Sequence, residues 1–279
     1  MLHLLQLEWL KLKNLKIFRV LAILYIALMP LLILVGKAIP AVPNPIFDPA
    51  SIYKFPKIFE WMAYEGNWLA FFFLGFMSVI MVTNEYQNKT LRQNIITGVS
   101  RQDYFLSKLF FVLVTCLGAT LVYFIFAFIF GVVHTSDLAF GEILGDGLVA
   151  MGKYFLMCLG YMSFGLFLGL LIKRTGIAVF LYLAWVMFLE LIMRWLIHFK
   201  AVENLDFIPN KTMHFYPMNA VEDLTPNPFM KIGESMASNF AEQEGFSFFL
   251  SAPEAVITSI VYICIFLFFS YRILMKSDL

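Results

Sequence analysis

The side chains that most often do chemistry are sparse in this 279-residue chain and far apart. The four histidines, His3, His134, His198 and His214, are scattered along its length. His198, Asp206 and His214 share one segment, but their spacing matches no catalytic motif, and they read as loop residues. No H-E-x-x-H stretch puts two imidazoles on one helix face for zinc, and no G-x-S-x-G turn presents a serine nucleophile. Cys116, Cys158 and Cys264 each fall inside an apolar run, with neither metal spacing nor a disulfide framework, and read as packing thiols. There is no G-x-x-x-x-G-K-S/T loop to cradle nucleotide phosphates. The chain is therefore expected to carry no catalytic residues, no metal and no cofactor of its own.

Charges in or near the apolar runs are equally few, among them Lys153, Glu190 and Arg194. A charge at mid-bilayer costs about 2.5–3.5 kcal/mol on insertion scales. All three lie near the end of a run, where a long side chain can snorkel outward. Glu190 and Arg194 stand four apart, on one helix face. They read as anchors, with a polar ring facing a substrate as the alternative. Three ionisable groups do not make a proton relay or an ion path, which argues against a proton-driven carrier.

One stretch differs from the rest. Asn84 to Lys108, NEYQNKTLRQNIITGVSRQDYFLSK, holds four Lys/Arg and two acids between the runs WLAFFFLGFMSVIMVT and LFFVLVTCLGATLVYFIFAFIFGVV. Residues Glu85 to Thr97 suit a short helix on a membrane surface. Tyr86, Leu91, Ile95 and Ile96 would form its partial apolar face, with Gln87, Lys89, Arg92 and Gln93 toward water. Gly98 ends it, because glycine accepts the left-handed conformation of a helix stop. Ser100, with Asp103 three positions on, forms a capping box that begins the next helix. That helix runs through Phe105 into the following run, so the insert is a helix–break–helix elbow attached to a span. A plain topological link needs only a few residues, as KRT at 173–175 shows. A 25-residue insert rich in polar side chains is long for such a link and fits the docking of a partner.

The elements that must carry this elbow are membrane spans. The chain is 61% hydrophobic and 14% charged, with mean hydropathy +0.81 and 32 phenylalanines. A water-soluble fold averages about 45–50% apolar and 25% charged residues. A bilayer core of ~30 Å takes roughly 20 helical residues. Six runs qualify, at about 17–36, 67–83, 109–133, 148–172, 176–197 and 253–271. The second is expected to begin earlier, after Pro56, with Trp61, Tyr64 and Trp68 at the water–lipid boundary. Pro30 should bend or end the first run locally. The expected fold class is an all-α polytopic membrane protein, one transmembrane domain over 1–279. With both termini in the cytoplasm, twelve of the 20 Lys/Arg fall in the inside segments, although these are about half as long as the outside ones. This places the elbow at 84–108 in the cytoplasm and residues 198–252 outside.

Residues 1–16, MLHLLQLEWLKLKNLK, read as an interfacial helix. Leu2, Leu5, Trp9 and Leu12 recur at helical spacing, and Glu8, Lys11 and Lys13 would be costly in hydrocarbon. The apolar run that follows has no small-residue cleavage site, so no cleavable signal peptide is expected. The acidic outside segment at 198–252 is broken by Pro209, Pro217, Pro226 and Pro228. A small ordered cap is expected there, partly dipping back toward the membrane near FSFFL. Asn227 can cap a short helix carrying Pro228 in its first turn. Ser251 with Glu254 forms a capping box for the last span. Gly165 and Gly169, four apart, would let two helices approach closely. Asn88-Lys89-Thr90 and Asn210-Lys211-Thr212 match the glycosylation pattern by chance.

The stretch at 84–108 resembles the cytoplasmic segment of ABC-2 type permeases, the membrane subunits of exporter-class ABC transporters. The resemblance rests on Glu85, the step Thr90-Leu91-Arg92, Gly98, Ser100-Arg101, and Lys108 entering the next span. LEWLKLKN at 7–14 resembles the interfacial connecting helix of that family. FPKIFEWMAYEGNW before the second span is similar to the subgroup of Bacteroidota-type bacteria. The resemblance covers most of the chain and is weakest over 198–252. It implies a permease in the bacterial plasma membrane, paired with a second copy or a sister permease. A separate ATPase subunit, holding ATP and magnesium, would dock on the elbow. Glu85, Thr90, Arg92, Gly98, Ser100, Arg101 and Lys108 would be the coupling residues, with Glu85 paired to Arg101 or Lys108. Arg92, Arg101 and Lys89 would meet an acidic or polar groove on the ATPase. The lipid bilayer is a further partner, and nucleic acid is not. The almost uniformly apolar spans favour a hydrophobic or amphipathic substrate. Two other readings compete: a membrane enzyme with its active site in 198–252, and a non-transporting envelope or signalling module driven by an ABC ATPase.

Overall fold

A computed structural model describes residues 15–38, 49–136, 140–202, 214–232 and 249–277. The expected interfacial helix, with Glu8, Trp9, Lys11 and Lys13, lies outside these residues. Helix α1 is Lys16–Ala38, and a 3-10 turn follows at Pro49–Tyr53. Helix α2 is Lys57–Gln87, with a π-helical turn at Ala70–Leu74. Helix α3 is Thr90–Ile96, α4 is Arg101–His134 and α5 is Phe140–Ile172. Helix α6 runs as Thr175–Ala184, a π-helical turn Trp185–Leu189 and Glu190–Val202. Helix α7 is Pro217–Glu222 and α8 is Ala252–Lys276. There is no strand among the described residues. Six helices, α1, α2, α4, α5, α6 and α8, are long and apolar enough to cross a membrane.

Most of the spans run longer than their apolar cores. Helix α2 begins at Lys57, as expected from Pro56, and α4 carries the elbow's second helix straight into its span. Pro30 does not end α1, which stays helical past it to Ala38. Trp61 departs from the expectation of a boundary residue. It is buried, and its ring meets Phe229 edge-on at 4.4 Å, because residues 228–232 form a helical turn that covers it. Asn227 Oδ1 accepts from the backbone N–H of Phe229, capping that turn as its sequence suggests. Trp68 does stay half exposed.

Helices α2 and α5 form the centre: 78% and 67% of their span windows are buried, against 17–33% for the other four. Their close approach is set by small residues. A Cβ on Gly165 would lie 2.7 Å from Gly75 O, and one on Gly169 would lie 3.2 Å from Val79 O. Ser78 Oγ donates to Met162 O at 2.6 Å across the same seam. Without a hydrophobic drive between helices in lipid, such close backbone contact and interhelical bonds hold the bundle.

Tyrosines supply most of those bonds to α2. Tyr123 of α4 donates to Phe59 O at 2.9 Å, Tyr154 of α5 to Gly66 O at 3.1 Å, and Tyr182 of α6 to Phe71 O at 3.1 Å. The last acceptor lies in the π-helical turn, where the regular backbone bonding is displaced. Tyr25 of α1 joins by a 2.7 Å bond to the Tyr154 hydroxyl.

A Gly165→Leu variant is expected to lose stability by at least ~1–3 kcal/mol, since backbone at 2.7 Å cannot give way. Gly118→Ala, where nothing lies within 4 Å, should be neutral or stabilising. Thermal unfolding of the detergent-solubilised protein checks both.

Candidate functional site

The elbow differs from its expected form in one respect. Helix α2 runs without a break through Glu85 to Gln87, and the turn falls at Asn88-Lys89. Lys89 takes a left-handed conformation, φ +57°, and so starts α3 on a new axis. Thr90 sits at the joint, its hydroxyl 3.4 Å from Glu85 O, and Asn88 Nδ2 donates to Asn84 Oδ1 at 2.9 Å. The elbow's surface helix is therefore Thr90–Ile96, shorter than Glu85 to Thr97. Gly98 ends it with φ +101°, a backbone that side chains rarely tolerate. Ser100 caps α4, accepting from the Asp103 N–H at 3.0 Å and donating to Asp103 Oδ2 at 2.7 Å.

The two limbs of the elbow are pinned by a buried ion pair. Lys108 Nζ stands 2.5 Å from Glu85 Oε1, with side chains 1% and 9% exposed. Of the two partners expected for Glu85, the geometry selects Lys108. Position 108 is two helical turns beyond the Ser100 cap, which carries its side chain back under the end of α2. The ammonium also lies 5.0 Å from the Tyr104 ring centroid, a cation–π distance. Leu91 is buried beneath the elbow.

Arg101 is committed elsewhere. Its Nη1 donates to Met275 O at 2.5 Å, at the end of α8. A guanidinium there satisfies a terminal carbonyl and meets the negative end of the helix dipole. Gln102 Nε2 reaches Tyr271 Oη at 3.3 Å, and Phe105 packs edge-on against Tyr271 at 5.4 Å. The link between α5 and α6 adds a third tie. Lys173 Nζ lies 5.1 Å from the Tyr86 ring centroid, and Thr175 Oγ1 donates to Gln87 Oε1 at 3.2 Å. Arg92, Gln93, Ile96 and Thr97 point outward, and Ile96 is 75% exposed. The elbow thus presents a small mixed face on a fixed mount.

At the other end of the bundle a second polar cluster forms. Glu190 does not snorkel outward. It is buried, and its carboxylate accepts from the N–H groups of Met218 at 2.9 Å and Asn219 at 2.8 Å, and from Trp185 Nε1 at 3.1 Å. It caps the start of α7 from a neighbouring helix. Arg194 donates to Asn219 Oδ1. Asp223 Oδ2 accepts from the Leu250 N–H at 2.9 Å and from Asn219 Nδ2 at 3.1 Å. Tyr161 donates to Asn67 Oδ1 at 2.6 Å, and Asn67 Nδ2 to Thr225 Oγ1 at 3.0 Å, tying α2 and α5 to the turn after α7. Ser251 and Glu254 form the capping box that starts α8. Lys153 lines a separate cleft of about 380 Å³ with Lys57, Glu60, Asp146 and Lys231.

Burial changes the acids of this cluster. Desolvation, with Glu190 and Asp223 nearby, raises the Glu222 carboxyl to about 8. Desolvation likewise raises Asp223 to about 7, against the lowering pull of its Leu250 bond and of Arg194. Sequence reasoning missed Asn67, Tyr161, Asn219 and Asp223 as a group, because they are far apart in the chain. The signal open to it was an asparagine inside an apolar run, at position 67.

Six membrane-length helices around a buried centre, with a polar elbow between the second and third, define a polytopic helical membrane protein. The description ABC-2 family transporter protein matches residues 4–189, and the chain belongs to that family. It is the membrane-spanning permease part of an ABC transporter, a family whose membrane subunits work with an ABC ATPase. No curated protein matches the chain significantly.

Two outcomes follow from this geometry. Lys108→Met leaves the Glu85 carboxylate buried without its cation and should destabilise the protein by about 3–5 kcal/mol. Glu85→Gln/Lys108→Met should recover most of that in thermal unfolding. The raised carboxyls predict a pH effect. Unfolded, Glu222 and Asp223 lose protons near 4; folded, they hold them to about 8 and about 7. Folding therefore takes up protons across that window, and stability falls as pH rises from about 4 to about 8. Hydrogen exchange at α7 should quicken beyond its intrinsic pH trend over this range, less so in Glu222→Gln.

Proposed function

We propose that this chain is the permease subunit of an ATP-driven exporter in a bacterial plasma membrane, with both termini in the cytoplasm. The observation that carries the reading is the mounted elbow: Thr90–Ile96, set off by Lys89 and Gly98 and pinned by Glu85–Lys108, with Arg92 and Ile96 facing outward. A separate ABC ATPase, which holds ATP and magnesium, docks on that face. Arg92 and Lys89 meet acidic or polar groups on the ATPase, and Ile96 fills an apolar notch. Thr90, Gly98 and Ser100 set the elbow's two bends. Glu85, Lys108 and Arg101 transmit the movement rather than contact the ATPase, since their polar groups are spent inside the protein. Closure of the ATPases pushes the elbow, which moves α2 and α4 through the ion pair and α8 through Arg101.

Two permeases pair, as identical copies or as sister subunits, and the substrate path lies between them. Its class is hydrophobic or amphipathic, in keeping with the apolar spans.

The test is co-purification from the native membrane. A Walker A ATPase should accompany the wild type and be lost from a still-folded Arg92→Glu/Ile96→Asp variant. Arg101→Ala should keep the ATPase bound but lower ATP-driven transport, because it removes the bond to Met275 O at the end of α8 and leaves the outward face of the elbow intact. If no ATPase accompanies the wild type, or if the double variant retains it fully, the docking role of the elbow is wrong.

A further inference from the structure

Helix α6 packs on α2 over Thr175–Ala184 against Gly75–Gln87. Toward the other end of the bundle a cleft of about 420 Å³ lies between α2, α6 and the segment around α7. Its lining divides by chemistry. One part is aromatic: Tyr64, Trp68, Phe71, Tyr161 and Phe249. Another is polar, with the acids Glu222 and Asp223, the amides Asn67 and Asn219, and the basic side chains Arg194 and His214. The lip is apolar: Trp68, Met187, Leu191 and Met230 line the cleft and are each more than a third exposed.

We propose that this cleft binds an organic cation, an ammonium or guanidinium group carried on an apolar body, which enters sideways from the bilayer. Two independent features of the lining converge on that class. Aromatic rings attract a cation through their negative faces, by about 0.5–2 kcal/mol each as water is removed. Carboxylates add the opposite charge. The charged groups facing the cluster are Glu190 and Arg194 from α6 and Glu222 and Asp223 from α7 and its end, with His214 beside them. With every carboxyl ionised, three acids face one guanidinium, an excess of negative charge that a bound cation offsets. Glu190 is taken up by the N–H groups of α7, and Asp223 is held by Leu250 and Asn219. Glu222 lines the cleft and is the carboxylate left to meet the ligand. The exposed lip fits the apolar body, which stays against the lipid while the charged head reaches inward.

The raised carboxyls give the site a pH signature. Below about pH 7 they hold protons and the cluster attracts a cation weakly; above about pH 8 they are ionised. A permanently charged ligand isolates this effect, because its own charge does not change.

The role of this cleft as a substrate site rests on the permease reading above, but binding is measured without the ATPase. The probe is benzyltrimethylammonium, titrated by calorimetry into the full chain in lipid nanodiscs, with empty nanodiscs subtracted and benzyl alcohol as the neutral comparison. Saturable binding of the cation is expected, tighter at about pH 9 than at about pH 6. Glu222→Gln should weaken it about tenfold and flatten the pH dependence, and Trp68→Leu should weaken it about three- to tenfold. Trp68 is half exposed, so that variant decides the matter if Glu222→Gln does not fold. No saturable binding, or equal binding of benzyl alcohol, overturns the proposal. So does cation binding that neither variant changes. If the cation binds as expected but no ATPase accompanies the protein, the site stands and the transporter reading falls.

Discussion

In hydrocarbon no water is at hand for a backbone group, and the rest of this structure depends on how α2 meets that constraint. The helix is nearly enclosed, and it is irregular at Ala70–Leu74. Its carbonyls at 59, 66 and 71 receive hydroxyls from three different helices. A tyrosine suits this work because its ring packs like any core aromatic while its tip makes a directional bond. The Tyr123 and Tyr154 rings stack at 4.2 Å, so the bonding groups also pack on one another. Each bond contributes only about 0.5–1.5 kcal/mol net. Together they fix α4, α5 and α6 against one axis, and Tyr25 brings α1 to the same point.

Because α2 is held so firmly, its end at Gln87 is a fixed platform for the elbow. A buried ion pair such as Glu85–Lys108 gains little over a hydrophobic contact, since both charges lose their water. What it imposes is a set distance between the end of α2 and the start of α4. The turn at Lys89 and the stop at Gly98 then hold Thr90–Ile96 at one angle between them.

Helix α8 links the two ends of the bundle. At one end it takes Arg101, Gln102 and Phe105 from the elbow. Toward the other, Ser259 Oγ donates to Ala220 O at 3.0 Å and Tyr262 Oη to Phe215 O at 2.8 Å. The polar cluster around α7 is thus bonded to the same helix that the elbow clamps. An α-helix of 25 residues is stiff along its axis, so a displacement at one end is felt at the other.

The sequence by itself determined the spans, because about 20 apolar residues in a row have one stable solution in lipid. It also determined the local stops and starts: Gly98, Ser100 with Asp103, Asn227, and Ser251 with Glu254 are decided by backbone geometry within a few residues. The glycine pair at 165 and 169 announced a close approach but not its partner. Tertiary structure alone decided the rest. It chose Lys108 over Arg101 as the mate of Glu85, and turned Arg101 onto Met275. It drew Glu190 inward to cap α7, where a local view sent it out to the interface. It buried Trp61 beneath residues that follow it by more than 160 positions, and gathered Asn67, Tyr161, Asn219 and Asp223 into one network. Bonds between residues so far apart depend on which helix faces meet, and period and propensity do not encode that. Packing does.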